Sequence, residues 1–300
     1  VIAVDWGTSR LRLYRLDEAG DVRETRRSDR GVLACNGDFR QVLEDGIRDW
    51  DDPLVLMCGM IGGRGGWREV PYLDCPIDAA GLARGLQPLP PDALPGREAW
   101  IVPGLRDADA GHVPDLMRGE ETQLAALLDA LPTGTHHACL PGTHSKWVLL
   151  REGRIARITT AMTGELYALL RRHSILGRLM PAGEDAFDVR AFDAGLERSA
   201  QPGGLLHHLF GVRTTALFGQ QAGEGLPAYL SGLLVGHELR ESAPFASGVP
   251  ASPVHLVGND RLLAAYAHAL ARLGIAVECH PEELAARGLH GLWRHRAAAA

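Results

Sequence analysis

Three hundred residues with 46% hydrophobic content suffice for one large or two medium domains, each with its own core, and two are expected. The net charge of −6 and pI near 6.1 argue against holding nucleic acid or anionic lipid by bulk electrostatics and direct attention to small molecules. Cys35, Cys58, Cys75, Cys139 and Cys279 are scattered without a C-x-x-C pair or an H-x-x-H cluster, so neither a disulfide framework nor a zinc site is indicated and a reduced, cytoplasmic setting is expected; no apolar run approaches the ~18 to 20 residues of a membrane span.

The chain opens with a strand, Val1 to Asp5, a glycine turn at Gly7, a strand from Leu11 to Leu16, a "DEAGD" turn and a third strand, which together read as a meander. "PLVLMCGMIGG" reads as a buried strand running into glycines, and "AWIVPGL" as another short strand. In "RGEETQLAALLDAL", Leu124, Leu127, Leu128 and Leu131 recur at helical spacing, so an amphipathic helix is predicted to start near Glu120. "HACLPGTHSKWVLLREGRIARITT" then repeats the opening plan, with Gly142 and Thr143 in the places of Gly7 and Thr8. This suggests two similar halves, although two unrelated hairpins would look the same. Four helix-like segments follow, of which "YLSGLLVGHEL" carries Gly232 and Gly236 on one face, and then strand, Gly258, helix and strand. Strands with intervening helices in both halves imply α/β layers, divided at 1–131 and 132–300.

Five stretches carry candidate chemistry. Asp5 ends a strand beside Gly7, Thr8 and Ser9, where backbone N–H groups and hydroxyls can wrap a phosphate and the carboxylate can hold Mg²⁺; a solvated, Asp-capped turn is the plainer account of the same residues. Gly142, Thr143, His144, Ser145 and Lys146 supply the matching turn, with Leu140 where the first half has Asp5; a polar hairpin with Lys146 solvated accounts for the same residues. Gly258 and Asn259 lead from a strand to a helix N-terminus, which permits close approach of a flat or anionic ligand or serves simply as a cap. Glu120 and Glu121 complement the macrodipole of their helix, or one of them accepts a proton from an attacking hydroxyl. The loop "GMIGGRGGWREVPYLDCP" gathers Arg64, Trp67 and Tyr72, a set suited to a small polar ligand with a carboxylate or equally to a surface loop with incidental arginines.

Taken together, "VDWGTSRLR", "GMIGGRGGW", "PYLDCP", "IVPGL", "MRGEETQL", "PGTHSKWV", "MTGELYALL", "AGLERS" and "LSGLLVGHE" resemble the 2-dehydro-3-deoxygalactonokinase family of the actin-like sugar kinase (ASKHA) superfamily over nearly the whole chain. The resemblance implies two ribonuclease H-like (actin-like ATPase) α/β domains with a nucleotide cleft between them. It implies ATP and Mg²⁺, with Asp5 associated with the metal, Asp5, Gly7, Thr8 and Ser9 as one phosphate loop, Gly142 to Lys146 as the other, and Gly258 and Asn259 in the adenosine motif. Glu120 or Glu121 stands where carbohydrate kinases of the superfamily carry an Asp, and Glu120 is preferred as the base. Arg64, Trp67 and Tyr72 would meet the sugar acid. The implied reaction phosphorylates the 6-hydroxyl of 2-dehydro-3-deoxy-D-galactonate; rivals are a kinase of another sugar or sugar acid and an actin-like ATPase or nucleotide sensor without an acceptor. The expected partners are ATP and the sugar acid, with no nucleic acid and no membrane, and the oligomeric state is left open.

Overall fold

The computed structural model describes residues 1–108, 111, 113–183, 187–242 and 252–299. Strand β1 (Ile2–Trp6) buries Ile2, Ala3, Val4 and Trp6 completely, as a strand covered on both faces must. It is flanked by β2 (Leu11–Leu16), antiparallel, and by β4 (Leu54–Gly59), parallel and wholly buried. The meander continues into β3 (Val22–Ser28), while β7 (Glu98–Ile101) lies parallel to β4 and β6 (Gln87–Pro88) ends the sheet, giving the order β3-β2-β1-β4-β7-β6. A small sheet of β5 (Leu73–Asp74), β8 (Leu105–Asp107) and β9 (Asp115–Met117) stands apart.

The other large sheet is built from β10 (Thr135–Leu140), β11 (Ser145–Arg151), β12 (Arg154–Ala161), β13 (Val254–Gly258) and β14 (Val277–Pro281), in the order β12-β11-β10-β13-β14. A connection as short as Pro141 to His144 makes β10 and β11 antiparallel, and β10 runs parallel to β13. The β11–β12 turn uses Glu152 and Gly153, both at positive φ (49° and 69°), the conformation that matches strand twist in a two-residue hairpin. Numbered from its own first strand, each large sheet begins third, second, first, fourth. The similarity suggested by Gly7 and Gly142 therefore recurs in the topology.

Nine named helices lie among the described residues: α1 (Phe39–Gly46), α2 (Ala79–Arg84), α3 (Glu120–Ala130), α4 (Thr163–His173), α5 (Val189–Ser199), α6 (Gly204–Leu217), α7 (Leu226–Glu241), α8 (Asp260–Arg272) and α9 (Leu284–Ala298). Gly232 and Gly236 of α7 do face a neighbouring helix. A Cβ on Gly232 would stand 2.0 Å from the Phe192 carbonyl oxygen, and one on Gly236 2.1 Å from Ser199 Oγ, so α5 and α7 approach closely only because both residues are glycine. No helix among the described residues is long and apolar enough to cross a membrane. The loop expected over residues 243–253 falls mostly outside the described residues.

The chain divides into two compact units, one of residues 1–135, 148–158 and 281–300, the other of 136–147 and 159–280. The sequence suggested a single cut after residue 131, whereas the units interleave. Their cores are separate: Ile2, Val4, Trp6, Leu43, Val55, Met57 and Ile101 lie in one, and Phe192, Leu230, Leu233, Leu256 and Leu270 in the other. Helix α9 belongs to the first unit because Ala285, Ala286, Leu289 and Leu292 are buried. Its Gly288 touches α3 so closely that a Cβ there would lie 1.7 Å from the Thr122 carbonyl oxygen.

Candidate active site

In the first unit, chemistry collects at the carboxyl ends of parallel β1 and β4, the usual ligand edge of an open α/β sheet. Asp5 pairs in register with Cys58 and Trp6 with Gly59. Gly59, at φ 91°, lets its backbone come so near Trp6 that a Cβ would lie 2.7 Å from the Trp6 carbonyl oxygen. Gly119, at φ 114°, sits against Gly59 in turn, with a built Cβ 3.3 Å from the Gly59 Cα. These two glycines bring the start of α3, with its two glutamates, to the strand ends.

The two glutamates occupy different environments. Glu121 is fully buried, both of its carboxyl oxygens accept from the Gly119 N–H (2.8 and 2.7 Å), and burial, followed by the neighbouring Glu120, pushes its pKa up to about 8. Glu120 is half-buried, and its Oε2 accepts the backbone N–H of Arg118 at 3.2 Å. The Cys58 thiol is driven well above its ordinary pKa by burial and then by Asp5 and Glu121, with Glu120 adding a smaller push, which brings three carboxylates to bear on one thiol. Asp5 is itself raised by burial, opposed by Arg12. Its Oδ2 accepts from Arg12 Nη1 at 3.0 Å, and Arg12 Nη2 donates to Glu282 Oε2 at 2.8 Å. Neither Arg12 nor Glu282 stood out in the sequence, although Arg12 lies within "VDWGTSRLR".

The turn after Asp5 is braced from within. The Gly7 N–H donates to the Arg10 carbonyl (2.9 Å), and the Gly7 and Thr8 carbonyls accept from Val32 and Leu33 (3.0 and 3.2 Å), leaving Thr8 and Ser9 exposed at the tip. Gly7's own N–H is thus already engaged. In the loop after β4, Arg64 is exposed, whereas Trp67 stacks on Phe39 with centroids 6.5 Å apart. Tyr72 carries the guanidinium of Arg118 over its ring, Cζ 4.2 Å from the centroid. Arg118 is only 9% exposed; its Nη2 donates to the Val70 carbonyl at 2.8 Å, while Nε and Nη1 are buried with no hydrogen-bond partner among the described residues. Gly62 makes room for it, since a Cβ there would lie 3.1 Å from Nη1. A buried guanidinium with two unsatisfied edges is costly unless an anion completes it. In sequence Arg118 looks no different from Arg64, and only burial distinguishes them.

In the second unit, the turn after β10 meets the start of α4. The Glu165 N–H donates to the Thr143 carbonyl (2.9 Å), His144 bonds to the Glu165 carboxylate, and a Cβ on Gly164 would lie 2.3 Å from the Gly142 carbonyl oxygen. Ser145 is fully buried: its Oγ accepts from the Gly142 N–H at 3.4 Å and bonds to Tyr266 Oη at 3.0 Å. Tyr266 donates to Glu238 Oε2 at 2.6 Å and Trp147 Nε1 donates to Glu238 Oε1 at 2.8 Å. Burial raises the Glu238 pKa. Ser145 and the largely buried Lys146 therefore sit within the protein, not on an open rim. Gly258 lies beside Pro141, and Asn259 caps α8 by accepting from the Leu262 N–H at 3.2 Å.

Against these groups opens a cavity of about 870 Å³, near the upper end of the range for one small-molecule ligand. Gly142, Thr163, Gly164 and Asn259 line it, with Tyr167 and Leu234 on its walls and Arg171 and Arg261 supplying positive charge. Of the residues expected in the second phosphate loop and adenosine motif, Gly142 and Asn259 line this cavity. The first loop, Asp5 to Ser9, belongs to the other unit.

Two sheets that share the order of their first four strands, each opening with a hairpin whose turn lies beside a ligand edge, define the actin-like, ribonuclease H-like class. A dehydratase activator from Clostridium difficile with bound ADPNP shares the fold at a TM-score of 0.52 and 12% identity, over 100% of this chain and 96% of that one. The profile of the 2-keto-3-deoxy-galactonokinase family matches residues 5–293, and the chain belongs to that family. It is 36% identical over 280 residues to 2-dehydro-3-deoxygalactonokinase of Escherichia coli (strain K12), covering 92% of this chain and 91% of the relative. It is 37% identical over 292 residues to DgoK1 of Rhizobium meliloti (strain 1021), assigned the same activity, covering 95% and 93%. A solved structure from Sinorhizobium meliloti, also assigned as a 2-dehydro-3-deoxygalactonokinase, superposes with a TM-score of 0.88 at 36% identity over 99% of this chain and 98% of that one.

Proposed function

We propose that the chain transfers the γ-phosphoryl group of ATP to the 6-hydroxyl of 2-dehydro-3-deoxy-D-galactonate. The observation that carries this reading is family membership across residues 5–293, which takes in every site described above. Glu120, half-buried beside the strand ends, orients the acceptor hydroxyl and takes its proton. Glu121, fully buried and bonded to its own helix start, positions Glu120. Arg118 receives the substrate carboxylate on its unsatisfied edge, with Tyr72 beneath it; the fork of a guanidinium suits that group. The cavity of the second unit takes the ATP, with Gly142 and Asn259 approaching its phosphates.

The residues present fit a magnesium ion. Three carboxylates crowd the end of β1 and the start of α3, the Asp5 and Glu121 pKa values are raised, and oxygen donors suit a hard cation. Asp5 would hold it through Oδ1, Oδ2 being engaged by Arg12. When bound, Mg²⁺ supplies charge neutralisation on the phosphates. Arg12 fixes the Asp5 carboxylate, and Glu282 fixes Arg12.

An ADP-release assay on the galacto and gluco forms of the 2-dehydro-3-deoxy acid tests the reading. Turnover is expected on the galacto form, with Glu120→Gln lowering kcat by roughly 10²–10⁴-fold and leaving ATP affinity in place. Arg118→Met should raise KM for the sugar acid about 10²-fold or more, because it removes a buried charged partner. Acceptor-independent ATP turnover at the full rate would refute kinase function, and equal turnover in Glu120→Gln and wild type would remove the base assignment.

A further inference from the structure

Outside this machinery, His255, Glu278 and His280 converge on the edge of the second large sheet. Glu278 and His280 stand two residues apart on β14, so their side chains leave the same face of the strand. His255 stands on the neighbouring β13 and is 2% exposed. Its Nδ1 lies 3.1 Å from His280 Nε2, and the Glu278 carboxylate straddles the pair, 3.6 Å from His255 Nδ1 and 3.8 Å from His280 Nε2.

A single N–H···N hydrogen bond accounts for the two imidazoles. It does not account for a carboxylate held just beyond hydrogen-bond reach of both nitrogens. Zinc at about 2.0–2.2 Å from nitrogen and oxygen donors in tetrahedral geometry implies donor separations of roughly 3.3–3.6 Å; the two imidazole nitrogens stand slightly closer than that, at 3.1 Å, and one Glu278 oxygen faces each of them at 3.6 and 3.8 Å. Two imidazoles and one carboxylate leave a fourth position for water, and the outer rim is open, with the Glu278 side chain 57% exposed. Imidazole donors select against Mg²⁺, which prefers oxygen ligands. We infer that His255, Glu278 and His280 form a binding site for a borderline divalent transition-metal ion, with Zn²⁺ as the best match, separate from the site of phosphoryl transfer. An ion there would tie the edge strand β14 to β13. The sequence shows no metal-ligand spacing because one donor comes from a different strand.

The test uses the full chain without a polyhistidine tag, stripped with EDTA and titrated with Zn²⁺ by calorimetry, with bound metal counted by elemental analysis. One tightly bound Zn²⁺ per chain is expected, unaffected by millimolar Mg²⁺, with a rise in Tm on zinc addition. Outer partners of ligands alone are worth 10–100-fold in affinity, so Glu278→Gln and His280→Ala should each weaken binding about tenfold or more. Glu278 lies toward solvent and His280 is half-buried, and the Tm of each metal-free variant checks that it folds. Absence of zinc uptake by the wild type, or wild-type affinity in either folded variant, overturns the site.

Discussion

The turn after β1 and the turn after β10 occupy the same topological place in sheets that share the order of their first four strands, yet they are built from opposite chemistry. Asp5 ends the first strand as a carboxylate in an ion-paired chain with Arg12 and Glu282, and the tip beyond it is exposed. Leu140 ends the second as a buried apolar residue, and beyond it the neutral hydroxyls of Ser145 and Tyr266 link the Gly142 backbone to a buried Glu238. A charged, solvent-accessible turn can be completed by a cation. A turn fixed by buried hydrogen bonds offers a rigid backbone. The two halves of one architecture thus offer different chemistry, and neither turn predicts the other's.

The largest expected break in this comparison comes at Asp5. Asp5→Asn removes the charge while keeping the shape, and kcat is expected to fall roughly 10²–10³-fold, with a shift in the Mg²⁺ dependence of the rate and little change in Tm. An unchanged Mg²⁺ titration would separate Asp5 from the metal. A smaller effect is expected from Tyr266→Phe, which cuts the link from Ser145 to Glu238. Loss of a buried hydrogen bond to a carboxylate costs about 1–3 kcal/mol. Denaturant midpoints should drop accordingly, and KM for ATP should rise several-fold as the Gly142 turn loosens, with KM for the sugar acid unchanged. If the two KM values moved together, Tyr266 would serve general stability only.

Much of the fold was legible because it rests on local pattern. The apolar run of β1, the leucine spacing of α3, the glycine face of α7 and the Asn259 cap are each visible within a few residues. What escaped the sequence depends on distant partners. Arg118 gains meaning from Tyr72 and Val70, which bury it, whereas Arg64 in a glycine-rich loop looked more suited and is exposed. Ser145 looked like a phosphate donor until Tyr266 and Glu238, from two other helices, turned its hydroxyl inward. Helix α9 was silent for a related reason: a face of alanine and glycine has little hydrophobic contrast, and what matters is the close approach to Thr122 that Gly288 permits.

The adjacent glutamates of α3 sharpen the contrast between a residue that acts and one that holds. Glu121 has a pKa raised from 4.5 to about 8 by burial, so the folded protein binds a proton there that the unfolded chain releases between those values. Its contribution to stability is complete below about pH 4.5 and is lost as pH rises through about 8. Thermal melts of the wild type should therefore include a decline in Tm from about pH 5 to about 8, and Glu121→Gln, which is neutral throughout, should flatten that decline by a few degrees. Glu120→Gln should preserve most of the slope, losing only the part that arises from charge repulsion between the two carboxylates. A slope identical in wild type and Glu121→Gln would mean that the buried carboxyl is ionised in the folded protein, held by the Gly119 N–H, and the division of labour between the glutamates would then have to rest on accessibility alone.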